Sequence, residues 1–592
     1  MRNKFDVDEN LDTPFDIRHL KRVGVYLKRY KRKMIISLLL SALAIVVGLL
    51  GPFITKYAID TVIPAKDYGM LVLLAAALLA TIIVSIVFTK KRAVLMTEVS
   101  QDVIFDIRTD LYKHLQELPF EYYDSRPHGK ILVRVINYVN SVSDFLSNGI
   151  INFILELFSL IFILVFMFVM DWQMALVIMT GVPVLAVIVL SIKNKQRKSW
   201  QQVSNKNSNL NAYLHEGLEG VKVTQMFARE EVNNEIFEKL SDKSRKTWLY
   251  AVIWNNILWP ATDTIAISIS ALIYIAGLLI FPGVSFGTIV GMGGYASRFW
   301  QPIMNIANLY NNFINTVAYL ERIFELLDEP VAVKDKDGAV ELGAIKGDLS
   351  FDNVTFSYDE SAVILENLSF NIKQGESVAL VGPTGAGKST IVNLISRFYN
   401  VNSGRVLIDN TDIADVTLHS LRSQMGIMLQ DSFVFTGTVR ENIRYGKLNA
   451  TDEEIYKAAK IVCADEFIRK FPDGYETMIT ERGTALSQGQ RQLITFARTL
   501  VSDPKILILD EATSSIDAKT ERDLQTALAH VLKGRTSFII AHRLSTIRNC
   551  DKIMYVSNRG ITECGTHDEL IAKHGDYYDL YNARSTKTVK SA

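Results

Sequence analysis

Six long apolar runs, all ending before residue 315, decide what this chain can fold into. They are Met34 to Ile59, Met70 to Thr89, Ile150 to Met170, Met174 to Ile192, Trp254 to Phe281 and Phe286 to Phe313. An α-helix rises about 1.5 Å per residue, so about 20 apolar residues cross the roughly 30 Å hydrocarbon core of a bilayer. Every run is long enough, and the sixth carries the most polar residues. A single run of this kind would suit a buried core helix; several close together read as a membrane domain. The chain has 592 residues, too many for one compact domain. After Ser350 the long runs stop and the pattern becomes that of a soluble α/β protein.

Charge gives the orientation. The net charge of +1 points to no nucleic-acid partner, but its distribution is uneven. Arg18, Lys21, Arg22, Lys28, Arg29, Lys31, Arg32 and Lys33 precede the first run. Lys90, Lys91 and Arg92 follow the second, and Lys193, Lys195, Arg197 and Lys198 follow the fourth. The other connections are short and poor in Lys and Arg. The positive-inside rule then predicts a multi-pass protein of the cell membrane with both termini in the cytoplasm. The acidic, polar start and the length of the first run do not fit a secretory leader. Cys463, Cys550 and Cys564 all fall in the soluble half, with neither zinc nor redox spacing, and read as reduced and structural.

The two basic connections, from Lys90 to about Gly149 and from Lys193 to about Ala251, are long and helix-patterned. They predict helices that continue past the membrane as stalks. Turns are expected at Tyr123 to Gly129, with its Pro-His-Gly signal, and at Gln225 to Glu230. Phe227 reads either as an anchor for another domain or as an incidental aromatic on a solvated loop.

The run Gly382-Pro383-Thr384-Gly385-Ala386-Gly387-Lys388-Ser389-Thr390 fits G-x-x-x-x-G-K-[ST], the phosphate-binding P-loop. Apolar Ser377 to Val381 before it reads as a strand, and Ile391 to Phe398 after it as a helix. Glycines let the backbone turn its N–H groups onto phosphate oxygens, and the helix start adds positive potential. Lys388 would reach the β- and γ-phosphates of ATP, and the Ser389 hydroxyl would ligate Mg2+.

With these features together, the chain resembles an ABC half-transporter of the exporter type, from the first basic segment to about Ala583. Further motifs stand in that family's order and spacing. Tyr358 matches the aromatic that stacks on adenine. Gln430 matches the Q-loop glutamine, which the resemblance places near magnesium and the attacking water. Ile506 to Glu511 matches the Walker B segment, with Asp510 holding magnesium and Glu511 acting as general base. Asp517 lies in the D-loop match, and His542 matches the switch histidine at the γ-phosphate. The resemblance therefore implies Glu511, His542 and Gln430 as the catalytic set.

The signature departs from the family's LSGGQ. It reads Leu486-Ser487-Gln488-Gly489-Gln490. In the family, Ser487, Gly489 and Gln490 would open a helix facing the nucleotide on a partner's P-loop. Gln488 puts a side chain where the family has glycine. With Glu511 and His542 intact, the split resembles one chain of a heterodimeric exporter, and a homodimer that tolerates the change is the alternative.

The expected fold is thus multidomain. A polytopic all-α membrane domain of six transmembrane helices with long cytoplasmic extensions precedes an α/β P-loop ATPase domain with a helical signature subdomain. The boundaries are 1–33 for a cytoplasmic N-terminal segment, 34–320 for the membrane domain, 321–348 for a linker, 349–585 for the ATPase domain and 586–592 for a tail. The expected function is ATP-driven export of a small amphipathic compound, a drug or lipid, by alternating access. An importer and an ATP-gated regulator are the rivals. Glu156, Asp263 and Arg298 stand within spans, where charge is costly. Asp263 and Arg298 are expected to pair. Trp254, Trp259, Tyr295, Phe299 and Trp300 form either a cargo wall or an interfacial belt.

Overall fold

The computed structural model describes residues 18–124, 126, 128–358, 362–428, 433–480, 483, 486–510, 518–540 and 544–590. They divide into two compact units. One holds the described residues up to His114 together with Gly129–Asp328; the other holds Leu115–His128 and the described residues from Glu329 onward.

The first unit is helical. Five stretches among the described residues are long and apolar enough to cross a membrane: Lys31–Val62, Tyr68–Glu117, Val133–Met170, Trp172–Glu219 and Glu230–Ile280. The sixth expected run is one unbroken helix, Phe286–Leu327, but it does not reach the same apolarity. Arg298, Gln301 and Asn305 interrupt it, while Met292, Tyr295 and Phe299 are buried in the core of the unit. Helix Tyr68–Glu117 has 50 residues. At 1.5 Å per residue it is about 75 Å long, far more than a bilayer core needs. This is the stalk expected from the basic connections.

The first span is broken at Leu50, between helices Lys31–Leu49 and Gly51–Tyr57. Pro52 has no N–H, so the Gly48 carbonyl lacks its usual donor four residues on. Arg298 supplies one from the last helix, with Nη1 2.5 Å from Gly48 O. The Tyr295 hydroxyl donates to Leu49 O at 2.6 Å. These contacts correct the expected Asp263–Arg298 pair: the guanidinium is engaged by a backbone carbonyl that proline left open, and Asp263 is exposed. Glu156 instead accepts from Asn305 Nδ2 at 2.6 Å. Three of the five aromatics proposed as a wall or a belt, Tyr295, Phe299 and Trp300, are core residues packed with Met174 and Ile273.

At the other end of the same two helices, Asp60 accepts from the Ser285 hydroxyl at 2.5 Å and from Gly287 N at 2.7 Å. A carboxylate there suits the positive end of helix Phe286–Leu327. A side chain on Gly287 would have its Cβ only 2.5 Å from Asp60 Oδ1.

The second unit carries two larger sheets. A six-stranded sheet runs in the order Gly560–Gly565, Lys552–Ser557, Ser377–Val381, Thr536–Ile540, Ile506–Asp510, Met425–Met428. All neighbours are parallel except the first pair. Beside it is an antiparallel sheet of Leu365–Ile372, Leu349–Phe356, Ser403–Ile408 and Thr411–Asp412. Alternate residues of Ser377–Val381 feed two separate cores: Val378 and Leu380 on one face, Ala379 and Val381 on the other. That two-sided burial is why the strand reads as a continuous apolar run rather than an alternating one.

The two expected tips differ: in the first, Ser125 and Pro127 lie outside the described residues and His128 and Gly129 open helix His128–Leu132 rather than a turn, while the second is a turn. Near the first is helix Phe120–Asp124, which belongs to the second unit. Its Phe120 ring lies 5.0 Å from Phe398. Tyr399 donates its hydroxyl proton to Asp124 at 3.0 Å, and Arg126 bridges to Glu329 at 3.2 Å. The second turn follows helix Val221–Met226 at Phe227 and Ala228, with Ala228 at φ 49°. Met226 is 81% and Phe227 71% exposed.

Candidate functional site

The P-loop is built at the carboxyl end of strand Ser377–Val381, where ligands of parallel α/β sheets bind. Gly382 takes φ +142°, and a Cβ there would lie 2.2 Å from the Val556 carbonyl oxygen. Only glycine lets the loop leave the strand so close to its neighbour. Gly387, at φ +103°, caps helix Lys388–Ile395 in the left-handed region. The turn so made aims successive N–H groups and a helix start at one spot, a cradle for an anion. The Lys388 ammonium donates to the carbonyls of Gly382 and Pro383 at 3.0 and 2.7 Å. Its charge is thereby held against the loop. Pro383, Thr384, Gly385 and Ser389 are exposed, and Ala386 is half-buried.

Tyr358 is fixed beside this loop. Its hydroxyl donates to Thr390 Oγ1 at 3.1 Å. Its ring meets Phe356 and Tyr399 edge-on, each at 4.9 Å. With 39% of the residue exposed, an aromatic surface remains for a flat base. Burial, followed by the hydrogen bond to Asp124, holds the Tyr399 phenol well above its usual range, so it stays a proton donor.

Strand Thr536–Ile540 separates the P-loop strand from Ile506–Asp510, and Ile540 is paired with both Leu380 and Asp510. Asp510 therefore ends its strand on the same carboxyl edge as the P-loop. Strand Met425–Met428 joins the same edge, with Met428 opposite Leu509. Gln430, Glu511, Asp517 and His542 lie outside the described residues. The strands that lead into Gln430, Glu511 and His542 are nevertheless parallel members of one sheet.

In the signature segment, Ser487 is the N-cap of helix Gln488–Val501. Its Oγ accepts from Gln490 N at 3.2 Å, and Gln490 Oε1 accepts from Ser487 N at 2.9 Å. This capping box occupies the side chain of Gln490 within its own helix start. Gln488 is the first helical residue, exposed, and not among the positive-φ residues. Glycine is not required there by the backbone. The effect of the substitution is confined to whatever faces the helix start.

One contributor has no sequence motif. Arg498 donates to Phe433 O, Asn442 O and Asn442 Oδ1, each at 2.8 Å. It ties the segment that follows residue 432 to the signature helix, and burial lowers its pKa. Above it lie exposed Phe433, Phe435 and Tyr445.

Two family patterns match: the ABC transporter transmembrane region over residues 34–303, and the ABC transporter pattern over residues 365–514. The chain belongs to the ABC transporters. Membrane and ATPase parts are fused in one polypeptide, the layout of an exporter-type half-transporter that hydrolyses ATP. An uncharacterized ABC transporter ATP-binding protein of Bacillus subtilis, YknV, is 40% identical over 590 residues, covering 99% of this chain and 98% of the relative. A second B. subtilis relative, named "Putative multidrug export ATP-binding/permease protein YgaD", is 35% identical over 96% of this chain and 99% of its own length. Among solved structures, a bacterial Atm1-family ABC exporter with ATP bound aligns with TM-score 0.76 at 28% identity, covering 94% of this chain and 98% of that one. The transporter thus carries its P-loop, its capped signature helix and its apolar helices within one family-wide frame.

Proposed function

We propose that this transporter exports a small amphipathic compound, a drug or lipid, by coupling ATP hydrolysis to alternating access. The observation that carries the reading is the fusion of five bilayer-length apolar helices to a nucleotide cradle. The multidrug-export name of the YgaD relative supports the cargo class.

The roles follow from the chemistry of these residues and from the family's motif order. Tyr358 stacks on the adenine, and the backbone of Gly382, Pro383, Thr384, Gly385, Ala386 and Gly387 surrounds the phosphates. Lys388 leaves its loop carbonyls for the β- and γ-oxygens. Thr390, bonded to Tyr358, holds the aromatic in place. The Ser389 hydroxyl and the Asp510 carboxylate are hard oxygen donors on one sheet edge, and they fit Mg2+, which takes one or two protein ligands beside phosphates and water. Magnesium, when bound with ATP, offsets charge on the β- and γ-oxygens. Glu511 polarises the attacking water, with Gln430 and His542 orienting it and the γ-phosphate.

A second half-transporter chain completes each site, with Ser487, Gly489 and the Gln490-capped helix start facing the partner's nucleotide and Asp517 contributing as the D-loop residue. The intact Glu511 beside the altered Gln488 favours a different chain as partner. The exposed Phe227 tip would dock on the other chain's counterpart of the Phe433–Phe435–Tyr445 patch, burying two apolar surfaces at once. Both termini lie in the cytoplasm, where ATP is.

Inverted membrane vesicles test the reading. ATP-driven accumulation of an amphipathic dye inside them, abolished by Glu511→Gln, is the expected result. ATP-driven movement out of them would make the protein an importer, and ATPase activity with no cargo movement would make it a regulator. A lone purified chain that is a fully active ATPase dimer would overturn the choice of a different partner.

A further inference from the structure

We infer that the N-terminal helix and the start of the first span carry a binding surface for anionic phospholipid headgroups, formed by Lys21, Lys28 and Arg32. Helix Arg18–Arg29 continues almost without interruption into Lys31–Leu49. One side of it is consumed by internal contacts with carboxylates at fourfold spacing on helix Tyr68–Glu117. Lys33 bridges Glu98 and Asp102, both at 3.2 Å. Arg29 bridges Asp106 at 2.9 Å, and Tyr26 donates to Asp110 at 2.9 Å. Arg22 bridges Asp328 at 2.5 Å and stacks over Phe324. Every cation on that side is neutralised by protein.

The other side is different. Lys21, Lys28 and Arg32 are exposed and make no hydrogen bond or ion pair among the described residues. They recur at i, i+7 and i+11, with Val25 between them at i+4, so they share one helical stripe. The stripe does not end at Arg32. Ile35, Leu39 and Leu43 continue the spacing, and all are exposed, by 56, 63 and 51%. Those residues lie in a bilayer-length apolar helix, where exposed leucine and isoleucine face lipid tails. The same stripe is therefore apolar where the tails are and cationic just before it, with Val25, 68% exposed, as an apolar insertion among the cations. A solvated face would have no reason to continue into the lipid-facing row. Its complement is a phosphodiester held at the membrane surface, attached to acyl chains that lie against Ile35 and Leu39. This inference rests on the membrane-spanning helix and not on the direction or cargo of transport.

The purified full-length chain, in discs holding equal phosphatidylcholine and phosphatidylglycerol, provides the test. The lipid retained after detergent washing is measured by mass spectrometry. The wild-type chain retains phosphatidylglycerol preferentially, and Lys21→Gln/Lys28→Gln/Arg32→Gln lowers that preference about tenfold. Lys21→Arg/Lys28→Arg keeps it, and both variants keep the melting temperature of the parent in detergent. An unchanged preference in the triple variant overturns the proposal. So does displacement of the lipid by inorganic phosphate but not by chloride of equal ionic strength, which would mark a free-anion site.

Discussion

The two stalk tips of this chain look alike in sequence and end differently in structure. Both are short helical turns between long stalks, and both carry a phenylalanine. Phe120 meets Phe398, and its neighbour Asp124 accepts from Tyr399, all inside one compact unit. Phe227 and Met226 stand in the open. Exposing a Phe and a Met side by side forgoes about 1.5–3 kcal/mol of burial each. The first tip packs within the unit that holds the P-loop, and the exposure of the second supports the proposal that another chain covers it. The first tip also reaches the nucleotide side, because Tyr399 touches both Asp124 and the Tyr358 ring.

Four substitutions test this contrast. Lys388→Ala removes the input to both tips at once. ATPase activity should fall at least about a hundredfold, and cargo movement should vanish with it. Phe227→Ala strikes only the exposed tip. Cargo movement in vesicles should drop about tenfold while ATP binding and the melting temperature of the isolated chain stay unchanged, since an exposed side chain contributes little to the chain's own stability. Phe120→Ala should show the opposite signature. It loses an aromatic contact within one unit, so thermal unfolding should move down by the equivalent of about 1–3 kcal/mol, with coupling impaired as well. Tyr399→Phe is the mildest. It deletes one hydroxyl donor to a carboxylate, worth about 1–2 kcal/mol, and should loosen coupling severalfold while leaving the ring contact with Tyr358 in place. Equal effects of Phe120→Ala and Phe227→Ala on melting would erase the distinction.

Much of this architecture was legible from local pattern. Apolar length marks a membrane helix whatever surrounds it, and the glycine spacing before Lys388 implies a loop with positive φ, as found at Gly382, Gly385 and Gly387. What was not legible depends on contacts between distant residues. Asp263 and Arg298 seemed natural partners because opposite charges within spans should neutralise each other. The deciding fact was that Pro52 leaves the Gly48 carbonyl unsatisfied, and no pattern shows which side chain will reach it. Tyr295, Phe299 and Trp300 looked like a wall or a belt because aromatics suit both settings; burial shows them in the core. The sixth run was long enough, yet Arg298, Gln301 and Asn305 lower its apolarity, and its burial makes that tolerable. At the site, Tyr358, the P-loop and Asp510 share one region of the second unit. The substitution at Gln488 was visible, but its place as an unstrained first helical residue was not. The clamp by Arg498 follows no motif at all.

The account rests on Phe227 being buried by a second chain when the transporter assembles. Phe227→Cys, in a background where Cys463, Cys550 and Cys564 are replaced, measures this directly through its labelling by a bulky maleimide. The account predicts rapid labelling of the isolated chain and strong protection in the ATP-bound transporter in native membranes. Equal labelling in both would contradict it.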